Sequence, residues 1–362
     1  MKRTIAFALL ALVCLFEGMG SDDINRGAYI PYYRLQFLSG AENTLGRPGW
    51  SPSPRPWEGQ FLADTTRELP SSWQDASWET RLPAVYNTFY LHIPLDEDFL
   101  SGKTPNPRHL AYLRSFISPN PIQIQLSLIG GSRDFLPLIA DEPFIQRLAD
   151  LCGEQGFDGI NLDWEFPATP KAHEKAGLSE LARKLKEVLP EKALLTAAVS
   201  RWRLPDQDFF PHLDGVNLMA YDGFGRHATF LTAQADTENL LTRMNLDPAK
   251  VSLGLPFYGR KFRGDDPEYW SGTLDYKSIV ERFSPLPEDN EAGGYFFNGP
   301  KTIEEKTLWA KKRGMEGIFV WEPFHDARGE RSLSVAIQQA LTASKQEDDG
   351  PAVATTESQP SS

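Results

Sequence analysis

Short apolar runs recur along the chain, and between them lie longer stretches whose apolar residues fall three and four apart. Eight of the short runs, at residues 28–33, 88–94, 122–129, 159–164, 194–199, 215–219, 251–256 and 317–321, predict strands. Several are apolar almost throughout, the pattern of a strand covered on both faces. Helical periodicity marks residues 108–118, 143–155, 173–188, 237–245, 303–313 and 333–342. Strands alternating with helices predict a parallel sheet, and eight such units predict an α/β fold closed as a (β/α)8 TIM barrel. An open doubly wound sheet is the structural rival. It carries a glycine-rich phosphate loop after its first strand, and none stands here.

Two stretches break the alternation. Residues 39–82 are rich in Pro, Gly, Ser and Trp, with Trp50, Trp57, Trp73 and Trp78 among them, and read as a long loop. Residues 258–300, with Trp270, Tyr276 and Tyr295, read as a small lobe inserted between the seventh and eighth strands. Residues 345–362 are polar without an apolar period and predict a disordered tail.

At the other end, Lys2 and Arg3 precede an apolar run, and Gly18 and Gly20 stand at the spacing a signal peptidase reads. Residues 1–20 therefore predict a signal peptide cut before Ser21, with residues 21–344 as one catalytic domain. The run is too short to span a bilayer, which takes roughly 20 apolar residues, so no membrane association is expected after cleavage. The expected location is secreted or periplasmic. With the signal removed, Cys152 is the sole cysteine, and its apolar helical surroundings make it a core residue. The net charge of −12 repels phosphate backbones and argues against nucleic acid as a partner. The six histidines are scattered without ligand spacing, so neither a metal nor a cofactor is expected. The chain is expected to act as a monomer.

The chemistry is concentrated in DGINLDWEF, residues 158–166. Side chains of a strand alternate faces, so Ile160, Leu162 and Trp164 share the face toward the helices. Asn161, Asp163 and Glu165 share the face toward the barrel interior. A file of polar groups with two carboxylates is costly to bury, and its usual resolution is a partner or a raised pKa. The file climbs toward the carboxyl end of the strand, where barrel enzymes place their active sites.

DGINLDWEFP resembles the fourth-strand signature of the family 18 glycoside hydrolases, the chitinases and their relatives. NLMAYD (residues 217–222), VSLGLPFYGR (residues 251–260) and GIFVWE (residues 317–322) are similar to the family's sixth, seventh and eighth strands, and Gly130-Gly131 matches the pair after its third. These segments stand in the family's order across residues 27–340.

The resemblance implies a retaining hydrolase in which the sugar's own 2-acetamido oxygen attacks the anomeric carbon, the substrate-assisted exception to the two-carboxylate scheme. By position, Glu165 is the acid that protonates the leaving oxygen, and Asp163 hydrogen-bonds the acetamido N–H of the oxazolinium. Tyr221 donates its hydroxyl to the acetamido carbonyl oxygen, Asp222 contacts the same sugar or positions water, and Trp321 is the apolar floor. Met219 shares the inward face with Asn217 and Tyr221. Arg260 either binds sugar or pairs with Asp222. Trp202, Phe224 and Tyr258 follow strands five, six and seven as further sugar platforms, with Trp270 beyond them. Tyr29 and Tyr32 lie on the first strand.

Two departures stand out. Asn161 replaces the middle aspartate of the signature and cannot carry its charge, although it can still hydrogen-bond Asp163. Leu128 replaces the serine before the glycine pair, and Ser127, one residue early, is expected to face the other way. The implied partner is an N-acetylglucosamine polysaccharide or oligosaccharide, chitin foremost. The alternatives are an endo-β-N-acetylglucosaminidase acting on N-glycans and a lectin-like member that binds chitin without cutting it.

Overall fold

The computed structural model describes residues 24–32, 34–35, 78–116, 121–166, 169–262 and 271–348. The expected signal peptide, Trp50, Trp57, Trp73, Trp270 and the tail beyond residue 348 lie outside these residues. Twelve strands occur in them: β1 (Asn25–Pro31), β2 (Thr88–Pro94), β3 (Gln123–Gly131), β4 (Gly159–Phe166), β5 (Leu194–Val199), β6 (Gly215–Leu218), β7 (Val251–Pro256), β8 (Tyr258–Lys261), β9 (Ser271–Asp275), β10 (Glu291–Ala292), β11 (Tyr295–Phe296) and β12 (Gly317–Trp321). Eight close into a parallel barrel in the order β1-β12-β7-β6-β5-β4-β3-β2. This is the (β/α)8 barrel that the alternation of strands and helices predicts.

Strand alternation divides the apolar residues into two bodies. Ile30, Leu91, Leu126, Leu162, Ala197, Leu218, Leu253 and Val320 face outward and pack under the helices. Tyr29, Tyr90, Ala198, Tyr221, Tyr258 and Phe319 form a separate aromatic body inside, with Met219 and Trp321 against it. Registers such as Tyr29 with Tyr90 and Asp163 with Ala198 set the inner residues in layers. Gly254 makes room for one of them. A Cβ there would lie 2.7 Å from the Tyr221 ring, the Phe319 ring and the Leu218 carbonyl oxygen.

The main helices span Pro107–Arg114, Glu142–Gln155, Ala172–Val188, Phe230–Met244, Pro300–Lys312 and Leu333–Asp348. The fourth begins well before residue 237, because Thr229 caps it by accepting from the Thr232 amide. Its first turn turns Leu231 to solvent at 75% exposure, which hides the apolar period. The last helix runs past residue 342 into the stretch expected to be disordered. A helix at Trp78–Val85 ends the predicted loop of residues 39–82. Between β5 and β6 there is only a 3-10 helix, Gln207–His212, which contains Pro211. None of the helices among the described residues is long and apolar enough to cross a membrane.

After β7 the chain builds a four-stranded antiparallel sheet, ordered β10-β11-β8-β9, within the stretch read as an insertion. The helix Tyr276–Phe283 joins it, capped by Asp275, which accepts from the Ser278 amide. Cys152 is buried, and burial pushes its thiol up to about 12, so it stays protonated within the core.

Candidate active site

The interior of the barrel is polar at mid-height. Asn161 is wholly buried there. Its Oδ1 accepts from the Tyr29 hydroxyl at 3.0 Å and from Ser127 Oγ at 2.9 Å. Its Nδ2 donates to Thr196 Oγ1 at 2.8 Å, which in turn donates to Gln125 Oε1 at 2.6 Å. Asn217 Nδ2 donates to the Tyr29 oxygen at 3.0 Å. Five strands are thus tied together by neutral groups, each holding a partner, which is how buried polar side chains are tolerated.

Two expectations are corrected here. Ser127 faces the barrel interior, not the helices, because it pairs in register with Asn161. The pairing runs without a break from Gln125–Gly159 to Gly130–Trp164, so Ser127 has the parity of Asn161 and Leu128 that of Leu162. Leu128 takes the outward place. Asn161 gives its amide to Thr196, not to Asp163, and lies beneath the site with no exposed surface to offer a sugar.

Asp163 stands one step higher on β4. It is almost fully buried, and its Oδ2 lies 3.0 Å from His92 Nε2 on β2. Its Oδ1 is buried with no hydrogen-bond partner. A buried acceptor left empty costs about 1–3 kcal/mol, and such sites persist where a ligand is to fill them. Glu165, two residues further along β4, is partly exposed. Tyr221 is buried, which pushes its hydroxyl well above its usual value, and the charges of Tyr258, Asp222, Asp163 and Glu165 add to the shift. It is therefore a proton donor at every ordinary pH.

Trp321 ends β12, and its peptide to Glu322 is cis. Its ring meets His92 edge-on at 4.9 Å and tilts toward Tyr29 at 5.9 Å. Met219 packs beside it on the inner aromatic body. Asp222 has left-handed backbone at φ 62° and a side chain 47% exposed. Arg260 Nη1 lies 3.1 Å from its Oδ1, and the Tyr258 hydroxyl donates to the same oxygen at 2.5 Å. Of the two roles left open for Arg260, the pairing with Asp222 is the contact formed. Burial pushes the Asp222 carboxyl up, but Arg260, His227 and Tyr258 together hold it below its usual value. His227 itself is driven down to about 3 by burial and by Arg260, so at neutral pH the effective cation is Arg260.

Trp202 and Phe224 are 43% and 49% exposed, with ring centroids 5.4 Å apart. Arg201 covers Trp202 at 3.7 Å, leaving one face of the ring in use. Tyr32 is tied into the fold, its hydroxyl accepting from the Asn106 amide at 3.0 Å. The sequence reading missed His92. Its signal was present in the alternation of TFYLHIP, which puts Thr88, Tyr90 and His92 on one face. It also missed the buried pair of Arg34 and Glu322, at 2.6 Å, on the residue that follows Trp321.

The family model described as Glycosyl hydrolases family 18 matches residues 110–326. Chitinase 1 of Aphanocladium album is 27% identical over 252 residues, covering 55% of this chain and 59% of that protein. Nod factor hydrolase protein 1 of Medicago truncatula is 25% identical over 269 residues, covering 57% and 69%. The chain therefore spans little more than half the length of several curated relatives. Among solved structures, a chitinase from the chitin utilization locus of Flavobacterium johnsoniae superposes with a TM-score of 0.63 at 22% identity, covering 90% of this chain and 96% of that one. A chitinase-like agglutinin from Robinia pseudoacacia superposes with a TM-score of 0.58 at 21% identity, covering 72% and 94%. At these identities the superpositions speak for the fold. The family model covers more than half of the 362 residues and takes in β4, the segment of Tyr221 and β12 with Trp321, and the chain belongs to glycosyl hydrolase family 18.

Proposed function

We propose that the protein is a secreted, retaining glycoside hydrolase that cuts β-1,4-linked N-acetylglucosamine polymers with the substrate's acetamido group as nucleophile. The observation that carries this reading is Asp163, buried, held on one oxygen by His92 and empty on the other. An acetamido N–H donated to Oδ1 would fill that acceptor and orient the carbonyl oxygen toward the anomeric carbon. As that oxygen attacks, positive charge builds on the forming oxazolinium, and a fixed carboxylate in a water-poor site stabilises it. Tyr221, kept protonated, donates its hydroxyl to the acetamido oxygen and holds the ring in line. Glu165, partly exposed, gives its proton to the leaving glycosidic oxygen and then takes one from the water that opens the oxazolinium. Trp321 carries the apolar face of the sugar.

Asp222 and Tyr258 border the same sugar from the lobe side, and Trp202 with Phe224 extends the platform along the mouth. The chitinase names of the relatives support chitin-type chains as the substrate class. Product analysis on N-acetylglucosamine oligomers beside a high-mannose glycopeptide tests the reading. Release of short N-acetylglucosamine products from the oligomers, inhibited by a thiazoline analogue of the oxazolinium, is expected. Cleavage of the glycopeptide alone would move the substrate to N-glycans. Binding of the oligomers without any cleavage would make the protein a lectin.

A further inference from the structure

We propose that His92 is a positioning residue that takes over the support of Asp163 where Asn161 interrupts the carboxylate file. This rests on the hydrolase reading above. Asp163 has one polar partner among the described residues, and it is the imidazole at 3.0 Å. Its neighbour on the strand is no candidate, because Asn161 directs its oxygen to Tyr29 and Ser127 and its amide to Thr196. A bare carboxylate rotates freely about its last bond. Were Asp163 to turn, its empty oxygen would leave the position where the acetamido N–H arrives.

His92 is itself held. Trp321 meets its ring edge-on at 4.9 Å, and Tyr29 does so at 5.6 Å. It is 7% exposed, so water competes little for the bond to Asp163. An ionised carboxylate has no proton to give, so the bond requires the hydrogen on Nε2. His92 therefore donates to Oδ2 and fixes Oδ1 toward the sugar. The same ring stands edge-on beneath the floor tryptophan, so one side chain sets both the carboxylate and the platform. The difference from the family signature is one of supply. A file of carboxylates shares protons along one strand, whereas here support arrives from β2, across β3.

The test combines kinetics with a spectroscopic readout on N-acetylglucosamine oligomers. His92→Leu, which removes the donor at similar volume, is expected to lower kcat about a hundredfold with KM changed by less than about threefold, the signature of lost geometry without lost binding. His92→Gln, which can place an N–H near the Nε2 position, is expected to recover activity to within about tenfold of wild type. In an Asp163→Asn background the His92→Leu loss should shrink to within about threefold, because the two residues act as a unit. A His92→Leu kcat within threefold of wild type, or an undiminished loss in the Asp163→Asn background, overturns the proposal. Should His92→Leu fail to fold, the imidazole nitrogen shifts of wild type decide. A protonated Nε2 is expected at neutral pH, and a bare Nε2 overturns it. Wild type that cuts no oligomer overturns the hydrolase reading, whereas active wild type with an unaffected His92→Leu removes this role alone.

Discussion

Two carboxylates, Asp163 on β4 and Asp222 just after β6, are treated in opposite ways. Asp163 is buried, has one imidazole partner and keeps an empty oxygen. Asp222 is half exposed and carries on one oxygen a guanidinium at 3.1 Å and a phenol at 2.5 Å. The first is short of donors where water cannot make good the deficit. The second has a phenol donor and the Arg260 charge beside it, where water can also reach. A group left short in a dry place is poised to bind something, while a carboxylate held by a phenol and a neighbouring cation at the rim is fixed in position. On the proposed reading, the β4 side carries the chemistry and the lobe side the alignment.

Removing each carboxylate's distinguishing feature should separate them. Asp163→Asn is expected to cost about 10²–10³ in kcat, the range for losing a preorganised charge at a reacting centre. A loss below tenfold, measured by oligomer cleavage at saturation, would break the contrast. Arg260→Met is expected to act more mildly, raising KM about tenfold by freeing Asp222. It should also shift acid unfolding. The folded Asp222 carboxyl is held below its usual value, so its stabilisation is present above the unfolded value and is lost as pH falls through the folded one. Without Arg260 that loss begins at higher pH, and acid unfolding followed by circular dichroism should move up. An unmoved transition would mean that Arg260 does not set the charge of Asp222.

Beneath the lobe side, Lys306 is fully buried and donates to Asn298 Oδ1 at 2.7 Å and to the Ala228 carbonyl at 2.9 Å, next to His227. Burial lowers it to about 7, below the value of an unfolded lysine. Between those values the unfolded chain binds the extra proton, so stability rises with pH from neutral toward about 10. Lys306→Met should flatten that rise in melting temperature between neutral and alkaline pH. An unchanged slope would show that Lys306 is not its source. The smallest effects are expected at the rim. Trp202→Ala with Phe224→Ala should weaken binding of long oligomers by about three- to tenfold, leave the shortest substrates alone, and barely alter the melting temperature.

The barrel was legible because its signals are local and periodic. The apolar strands at residues 88–94, 194–199, 251–256 and 317–321 coincide with the observed ones. Parity on β4 separated Asn161 and Asp163 from the outward Ile160, Leu162 and Trp164, and the structure keeps that division. What was not legible depends on distance or on irregularity. His92 meets Asp163 across another strand, a contact that no spacing within the chain encodes. Ser127 faces inward because β3 pairs with β4 in a register that sets it beside Asn161, and that register is a contact between strands. The helix at Tyr276–Phe283 is set by a cap at Asp275.

The central claim is that Glu165 supplies the proton for cleavage of an N-acetylglucosamine chain. The direct measurement is product release from an N-acetylglucosamine oligomer by wild type and by Glu165→Gln, at matched folding and substrate saturation. General acid loss predicts a fall of about 10²–10⁴ in kcat for the variant, with oligomer binding retained. Equal release by the two proteins would contradict the account.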